Sequence, residues 1–459
     1  MSYNAAFLNT KEMKYSISIY KEIFLRLASS SISRNVGWSF LGSLSIRLIV
    51  PLFSIFIARL LLPQDYGTFG IAASIIAFFS MFGDLGLSQA IIAIDDKKDY
   101  KNIQFTIQLI ISAFSYTIIF AFASLAESIY HVHNLSIALK IMGLTFIMSI
   151  FYSPIDTQVK KKMEFKFLFV RKLVAPIISG AIALWMAFSG CGVYSLITNY
   201  VLTNAAGGIF MYAARPWKPK LEWHPEIIKK LLRFCMHFTF QKICGYFVLR
   251  TDALVIGKNL GAIEVGLYRM GQTVSNMISD MLLPQIEQVA YSDFSKNQHS
   301  ARYVYRRYMQ FLVSSLCITI SASIGMYFLC PYLVPFILGQ KWISIVPYVK
   351  VFSLPIAIAP FAVFNPSISR IWGFQQLYSY YSFIYGIAMV VGLIVASMHS
   401  LMTVAIIWAI ITGIDTISSP ILFFIFQDRI KPNKLYFYAL IAAWSWILLA
   451  VWFIWRESI

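Results

Sequence analysis

Long apolar stretches recur along this chain from Val36 to Trp455, separated by short polar breaks rich in Pro, Gly, Asp and Lys. Runs of this length are too long for the helices of an ordinary soluble core and match what a helix needs to cross a bilayer, about 20 residues at 1.5 Å of rise each. The pattern predicts thirteen membrane helices, over residues 36–62, 66–94, 102–126, 135–159, 167–189, 192–214, 227–257, 263–291, 303–329, 342–369, 376–398, 401–427 and 435–455. Several exceed the minimum, so tilt or extension past the hydrocarbon is expected. Pro331–Gly339 reads as a short apolar appendage after the ninth segment, too short to cross. The first break is the sharpest. In ARLLLPQDYGTFGIA, Leu60–Leu62 ends one helix, Pro63–Gly67 turns, and the next runs on to the carboxylate of Asp84.

The basic stretch RPWKPKLEWH (Arg215–His224) divides the first six segments from the rest, and an offset of 199 residues aligns the two parts. Arg34 then meets Arg233, Leu61 meets Leu260, Gly67 meets Gly266 and Ser80 meets Ser279. Arg59 with Lys258, Asp65 with Glu264 and Phe69 with Tyr268 are conservative pairs. These matches fall at corresponding helix ends, which points to an internal repeat. An even number of spans per unit gives both units the same orientation, related by an axis along the membrane normal, with a substrate path between them. The expected architecture is therefore an all-α polytopic membrane protein of two six-helix bundles related by a pseudo-twofold axis, plus one or two C-terminal helices, 12 to 14 spans with thirteen the best count. Its parts are an amphipathic or disordered N-terminal segment (1–34), a first bundle (35–214), a linker (215–226), a second bundle (227–427) and a final span (428–459).

Composition supports this and excludes other classes. Charged residues are 13% and hydrophobic ones 59% of 459, with a mean hydropathy of +0.69. Soluble domains carry about 25% charged residues. The net charge of +18 could suit nucleic acid, but membrane proteins collect Lys and Arg in cytoplasmic loops. With the N-terminus inside, alternate loops hold 28 of the 38 basic residues on the cytoplasmic side, so a multi-pass inner-membrane protein without nucleic-acid partners is expected. The five cysteines are scattered and form no CxxC, which implies neither a disulfide framework nor a metal site. There is no P-loop, dinucleotide fingerprint, HExxH or nucleophile elbow. A transporter rather than an enzyme is expected, without a cofactor.

Charged groups inside the spans are the candidate chemistry, because they are costly in hydrocarbon and face interior cavities. Arg47 lies in the first segment; Lys242 and Arg250 lie in the matching seventh, at positions equivalent to 43 and 51. Positions 43, 47 and 51 form one helical stripe, so all three could line one lumen and hold an anionic head group, Arg by forked hydrogen bonds. The alternatives are an ion pair for Arg250 and snorkelling of Lys242 to the inner surface. In the eighth segment Arg269, Thr273, Asn276, Asp280 and Glu287 form a polar stripe. It reads as a hydrophilic passage, or as an internal salt-bridge network of Arg269, Asp280 and nearby acids. Asp84, Asp280 and Asp415 are the carboxylates available for coupling to H+ or Na+.

The residues ARLLLPQDYGTFGIA, FFSMFGDLGLSQAII and, in the second half, GAIEVGLYRMGQTV at Gly261–Val274 resemble the polysaccharide-export branch of the multidrug/oligosaccharidyl-lipid/polysaccharide flippase superfamily, whose members export O-antigen, colanic acid or teichuronic acid precursors. The resemblance implies two bundles around a cavity opened alternately to each side. It also implies a polyprenyl-pyrophosphate-linked oligosaccharide as substrate, and association with polysaccharide assembly proteins. It assigns no substrate-contacting residue. A cation-coupled multidrug exporter of the same superfamily and a membrane-bound polymerase or glycosyltransferase are the rival readings. Cationic first and seventh segments argue against the former, and the lack of a sizeable outer loop against the latter.

Overall fold

A computed structural model describes residues 49–93, 100–373 and 375–426. Every regular element in it is helical: α1 (Ile49–Leu60), α2 (Pro63–Asp84), α3 (Leu87–Ala93), α4 (Lys101–Tyr130), α5 (Leu135–Lys161), α6 (Phe165–Phe188), α7 (Val193–Ala214), α8 (Pro225–Asn259), α9 (Ala262–Lys296), α10 (Ala301–Leu338), a 3₁₀ turn (Gln340–Ile345), α11 (Val346–Ile356), α12 (Ala359–Ile371), α13 (Gln375–Ser397) and α14 (Leu401–Phe426). These fall on twelve of the predicted segments. The thirteenth, the N-terminal segment and Arg47 lie outside the described residues.

Six stretches are each long and apolar enough to cross a bilayer: Pro63–Ile92, Lys101–Tyr130, Leu135–Lys161, Lys166–Phe188, Arg302–Leu338 and Leu377–Ser397. A seventh is the pair formed by Gln340–Ile356 and Ala359–Ile371, bent by 45°. The carbonyl of Ala357, freed at that break, accepts from the Thr319 hydroxyl at 3.0 Å, so the irregular backbone is satisfied from inside the protein, as hydrocarbon requires. Helices α8 and α9, of 35 residues each, are not among these stretches; they carry Lys242, Arg250, Asp252, Arg269 and Asp280.

Local chemistry sets the ends. Pro63 starts α2 at a position whose N–H has no partner anyway, and Asp65 reaches back to the N–H of Leu62 at 3.0 Å. Pro225 does the same for α8, so the linker ends at His224 and the second half begins two residues before the expected 227. The expected appendage at Pro331–Gly339 is corrected: α10 is one helix of 38 residues that contains Pro331 and Pro335. Proline breaks helices in water more readily than in a membrane bundle, where neighbours re-satisfy the freed groups.

The two parts of the chain on either side of the linker meet mainly where α2 packs on α8 and α9. Ile71, Ala72, Ile75 and Ile76 of α2 join Ala253, Ile256, Val265 and Tyr268 in one buried cluster. In lipid, apolar burial adds little to helix association, so closeness of packing must supply the adhesion. Small residues provide it at the hairpin end of α2. A Cβ on Gly67 would lie 1.6 Å from the carbonyl oxygen of Ala262, and one on Gly266 1.9 Å from that of Pro63. The contact is reciprocal under the 199-residue offset: 63 pairs with 262 and 67 with 266. Large apolar side chains including Phe114, Trp185, Phe188, Ile209 and Ile384 are exposed on the outside of the helices, where a bilayer would meet them.

Candidate functional site

The site lies between the two parts, on the face of α8 turned to α2. Thr239, Lys242 and Tyr246 recur at helical spacing along that face, and each touches the first half. The Thr239 hydroxyl donates to the carbonyl of Leu85 at 3.1 Å. The Lys242 ammonium is 3.5 Å from the Asp84 carboxylate, and the buried Tyr246 hydroxyl donates to the carbonyl of Ser74 at 3.0 Å. The acceptor at Leu85 exists because α2 breaks there: Leu85 (φ 45°) and Gly86 (φ 78°) both take the left-handed conformation, which ends the α2 ladder and frees its last carbonyls.

Arg250 continues this face one turn nearer the hairpin end. Nine residues before Asn259, it lies about 14 Å from that end of α8. The side chain is exposed. The groups close enough to influence it electrostatically are Arg269 and Asp252, with Tyr200 of α7 and Tyr246 of α8. Tyr200 belongs to the first half, so Arg250 lies within electrostatic reach of both halves. Asp252 is 6% exposed and engages Arg269 of α9 at 2.6 Å. That pair takes the carboxylate and leaves Arg250, among the described residues, without an ion pair of its own.

Of the expected cations, the structure thus gathers Arg250 and Arg269 in one cluster and places Lys242 two turns away, already paired. Snorkelling of Lys242 gives way to its bond with Asp84. Arg269 pairs with Asp252 of α8, whereas Asp280 lies eleven residues further along α9, about 16 Å of rise away. Asp84 is not an isolated coupling carboxylate. It accepts from the Ser88 hydroxyl at 2.8 Å and Gln108 at 3.4 Å, and Gln108 continues to Ser153 at 2.9 Å. Gln104 bonds Thr157 at 3.0 Å, and Thr157 bonds Ser88 at 3.0 Å. On α9, Thr273 is exposed with its hydroxyl on the carbonyl of Arg269 at 2.8 Å, Asn276 is half-buried and Asp280 exposed. Glu287 is covered by Ser367 of α12, so the polar stripe is open only along Arg269–Asp280. Asp415 accepts from Tyr381 at 2.8 Å between α13 and α14, and is not among the charges around Arg250.

Sequence reasoning missed Asp252, Gln104, Gln108 and Tyr200. Asp252 had a usable signal. It stands seven residues before the end of α8, and Arg269 seven after the start of α9; residues equidistant from the turn of a helical hairpin lie side by side. Truncating Arg269 leaves the Asp252 carboxylate buried and unpaired. Arg269→Ala is therefore expected to destabilise the protein by about 3–5 kcal/mol. The double change with Asp252→Asn should recover much of that, measured as midpoints of thermal unfolding in detergent.

Residues 56–347 match the family described as polysaccharide biosynthesis protein, about two thirds of the chain. The chain belongs to that family. Similar curated members include the succinoglycan biosynthesis transport protein ExoT of Rhizobium meliloti, 22% identical over 75% of this chain and 70% of ExoT. The teichuronic acid biosynthesis protein TuaB of Bacillus subtilis is 18% identical over 72% and 70% respectively. Among solved structures, the lipid II flippase MurJ in an inward closed conformation superposes with a TM-score of 0.67 at 14% identity, covering 92% of this chain and 99% of MurJ. An inward-facing multidrug-resistance MATE transporter of the MOP superfamily gives 0.62 at 13%, covering 84% and 97%. This member of the polysaccharide biosynthesis family therefore has the all-α fold of those transporters, which agrees with the resemblance read from its first two spans.

Proposed function

We propose that this protein is a flippase that moves a polyprenyl-pyrophosphate-linked oligosaccharide across the bacterial inner membrane, by alternating access between two six-helix lobes (35–214 and 227–427). The observation that carries the reading is Arg250: an exposed guanidinium within electrostatic reach of both halves, about 14 Å from the hairpin end of α8, with no ion pair among the described residues. An ionisable group within a membrane bundle is costly and marks a cavity or pathway by default, which points to an occupant. A pyrophosphate supplies oxygens that a planar guanidinium can grip two at a time. A cationic drug would be repelled by Arg250, whose neighbour Arg269 is neutralised by Asp252, which disfavours the exporter reading. Family membership and the transporter and flippase names of relatives support the same class.

Loop charges put the linker end in the cytoplasm and the Gly67–Gly266 crossing outside. In that orientation the crossing closes the outer side, and Thr239–Leu85, Lys242–Asp84 and Tyr246–Ser74 hold the halves together nearer the cytoplasm. Transport requires the two sets to open in turn. Lys242→Ala is expected to loosen the inner set by about 0.5–1 kcal/mol, since the pair is partly solvated. A cysteine placed at Thr239 should then react two- to fivefold faster with a membrane-impermeant maleimide from the linker side; unchanged labelling would remove the pair from the gating scheme. For the function itself, the test is a leaflet-resolved assay of lipid-linked oligosaccharide in reconstituted vesicles. Protein-dependent appearance of the sugar in the opposite leaflet is expected, and none in active preparations would refute the proposal.

A further inference from the structure

The end of α1 in the first half and the end of α10 in the second hold each other by an exchange of side chains. The Trp342 indole, from the 3₁₀ turn after α10, donates to the Ala58 carbonyl of α1 at 2.8 Å. In return the Arg59 guanidinium donates to the carbonyls of Phe336 and Ile337 in the last turn of α10. We propose that this reciprocal capping of two helix ends is a releasable latch that keeps the outer side of the protein closed.

Each bond answers a deficit that the sequence creates. The last carbonyls of a helix have no donor within it. At the end of α1 the Leu61 N–H still reaches the Ile57 carbonyl at 3.0 Å, but that of Leu62 turns to the Asp65 carboxylate at 3.0 Å to start α2. Pro63, next along, has no N–H at all. The Ala58 carbonyl is thereby left to find a donor on a fully buried residue, where a missing one is costly, and Trp342 of the other half supplies it. At the end of α10, Gly339 (φ 97°) leaves the helical conformation and its N–H returns to Pro335 at 3.0 Å. Phe336 and Ile337 are then free to accept from Arg59, whose charge also suits the negative end of a long helix.

Packing aims the donors. Trp342 is fully buried and meets Tyr66 edge-on, centroids 5.4 Å apart, and the Tyr66 hydroxyl is itself tied to the Ser54 carbonyl at 3.2 Å. Ala58 packs with Met270, Leu338, Trp342 and Ile345 in one buried cluster. The latch belongs to the same hairpin as the Gly67–Gly266 crossing but differs from it in kind. The crossing is backbone against backbone, with no polar partner to exchange. The latch is made of polar groups at helix ends, which the loop charges put at the outer surface. Water can replace each partner there once the halves part. Breaking one bond then costs only its net value, a shift of about two- to tenfold in the ratio of closed to open. The latch rests on the alternating access and orientation proposed above, and not on which substrate is carried.

The test is the rate at which a membrane-impermeant maleimide labels the full chain in vesicles. A cysteine at Thr273 reports the outer side in right-side-out vesicles, and one at Thr239 reports the linker side in inverted vesicles. The chain without either added cysteine gives the background. Trp342→Phe keeps a ring against Tyr66 and removes the donor; Arg59→Ala removes the guanidinium from an exposed position. Each should raise the outer rate about two- to tenfold and lower the inner rate, because opening one side closes the other. Arg59→Lys should fall between wild type and Arg59→Ala, since it keeps the charge and loses the fork. Monodispersity in detergent checks folding, and should Trp342→Phe fail that check, Arg59→Ala decides alone. An unchanged outer rate overturns the proposal. So do equal increases on both sides, which mark general loosening rather than a gate. Labelling needs no substrate, so the two readings fail separately. Opposite shifts in a protein that moves no lipid-linked oligosaccharide keep the latch and refute the flippase, and transport with unchanged labelling does the reverse.

Discussion

Arg250→Ala is expected to abolish translocation of lipid-linked oligosaccharide while leaving the protein folded. The side chain is exposed and, among the described residues, makes no ion pair, so its removal breaks no ion pair there and relieves the cost of a charge within the bundle. If the guanidinium grips a pyrophosphate in the lumen, truncation strands the anion without its partner. Losses of this kind run from about 2 to 5 kcal/mol. At 1.4 kcal/mol per decade that is a fall in apparent affinity of about thirtyfold or more. Arg250→Lys should be intermediate, since it keeps the charge and loses the fork. The measurement is the initial rate in the vesicle assay against substrate concentration, with monodispersity in detergent as the control for folding. A wild-type rate at low substrate in folded Arg250→Ala would remove Arg250 from the site.

What could be read from the residues beforehand divides along a physical line. Helix positions were legible, because a span needs about 20 apolar residues in a row and its ends need Pro, Gly or a carboxylate. The exact starts were less so: Pro63 and Pro225 read as part of the breaks, and each is the first residue of its helix. The 199-residue offset had already set Gly67 against Gly266, and the two meet across the α2–α9 crossing. Pairing of charges was much less so. The stripe on α9 treated Arg269 and Asp280 as potential partners because they share a face, yet face-sharing says nothing about distance beyond one or two turns. The Arg269 partner came from the adjoining helix of the hairpin, and the Asp84 partner, Lys242, from 158 residues along the chain. The break after Asp84 was also hidden, since DLGLS offers one glycine and no proline, and Leu85 takes a conformation usually left to glycine.

Gly67→Leu or Gly266→Leu is expected to have the largest structural effect of any single change in this protein. At ordinary contact a Cβ needs 3.4 Å or more, and at Gly67 it would find a backbone oxygen at 1.6 Å. A side chain in the way could change rotamer; a carbonyl in the middle of the first turn of α9 cannot. The helices would have to part by roughly 2 Å even for alanine, and overpacking in tight cores already costs about 1–3 kcal/mol when side chains can yield. Here they cannot, and close approach is also what adheres α2 to α9, since apolar burial contributes little between helices in lipid. The separation would spread along α2 to the cluster at Ile71 and Ile75. Gly67→Ala should lower Tm markedly, and Gly67→Leu should leave little extractable folded protein. Gly325→Ala, where a Cβ meets nothing within 4 Å, serves as the control and should be close to neutral. If Gly67→Leu were instead stable but fixed with its outer side open, the two halves would be shown to separate there as units, and the crossing would be a gate whose closed state depends on the glycines rather than a seam that folding requires. Fluorescence-detected size exclusion distinguishes loss of fold from retention. Labelling of a cysteine at Thr273 from the outer side then distinguishes an opened gate from a closed one.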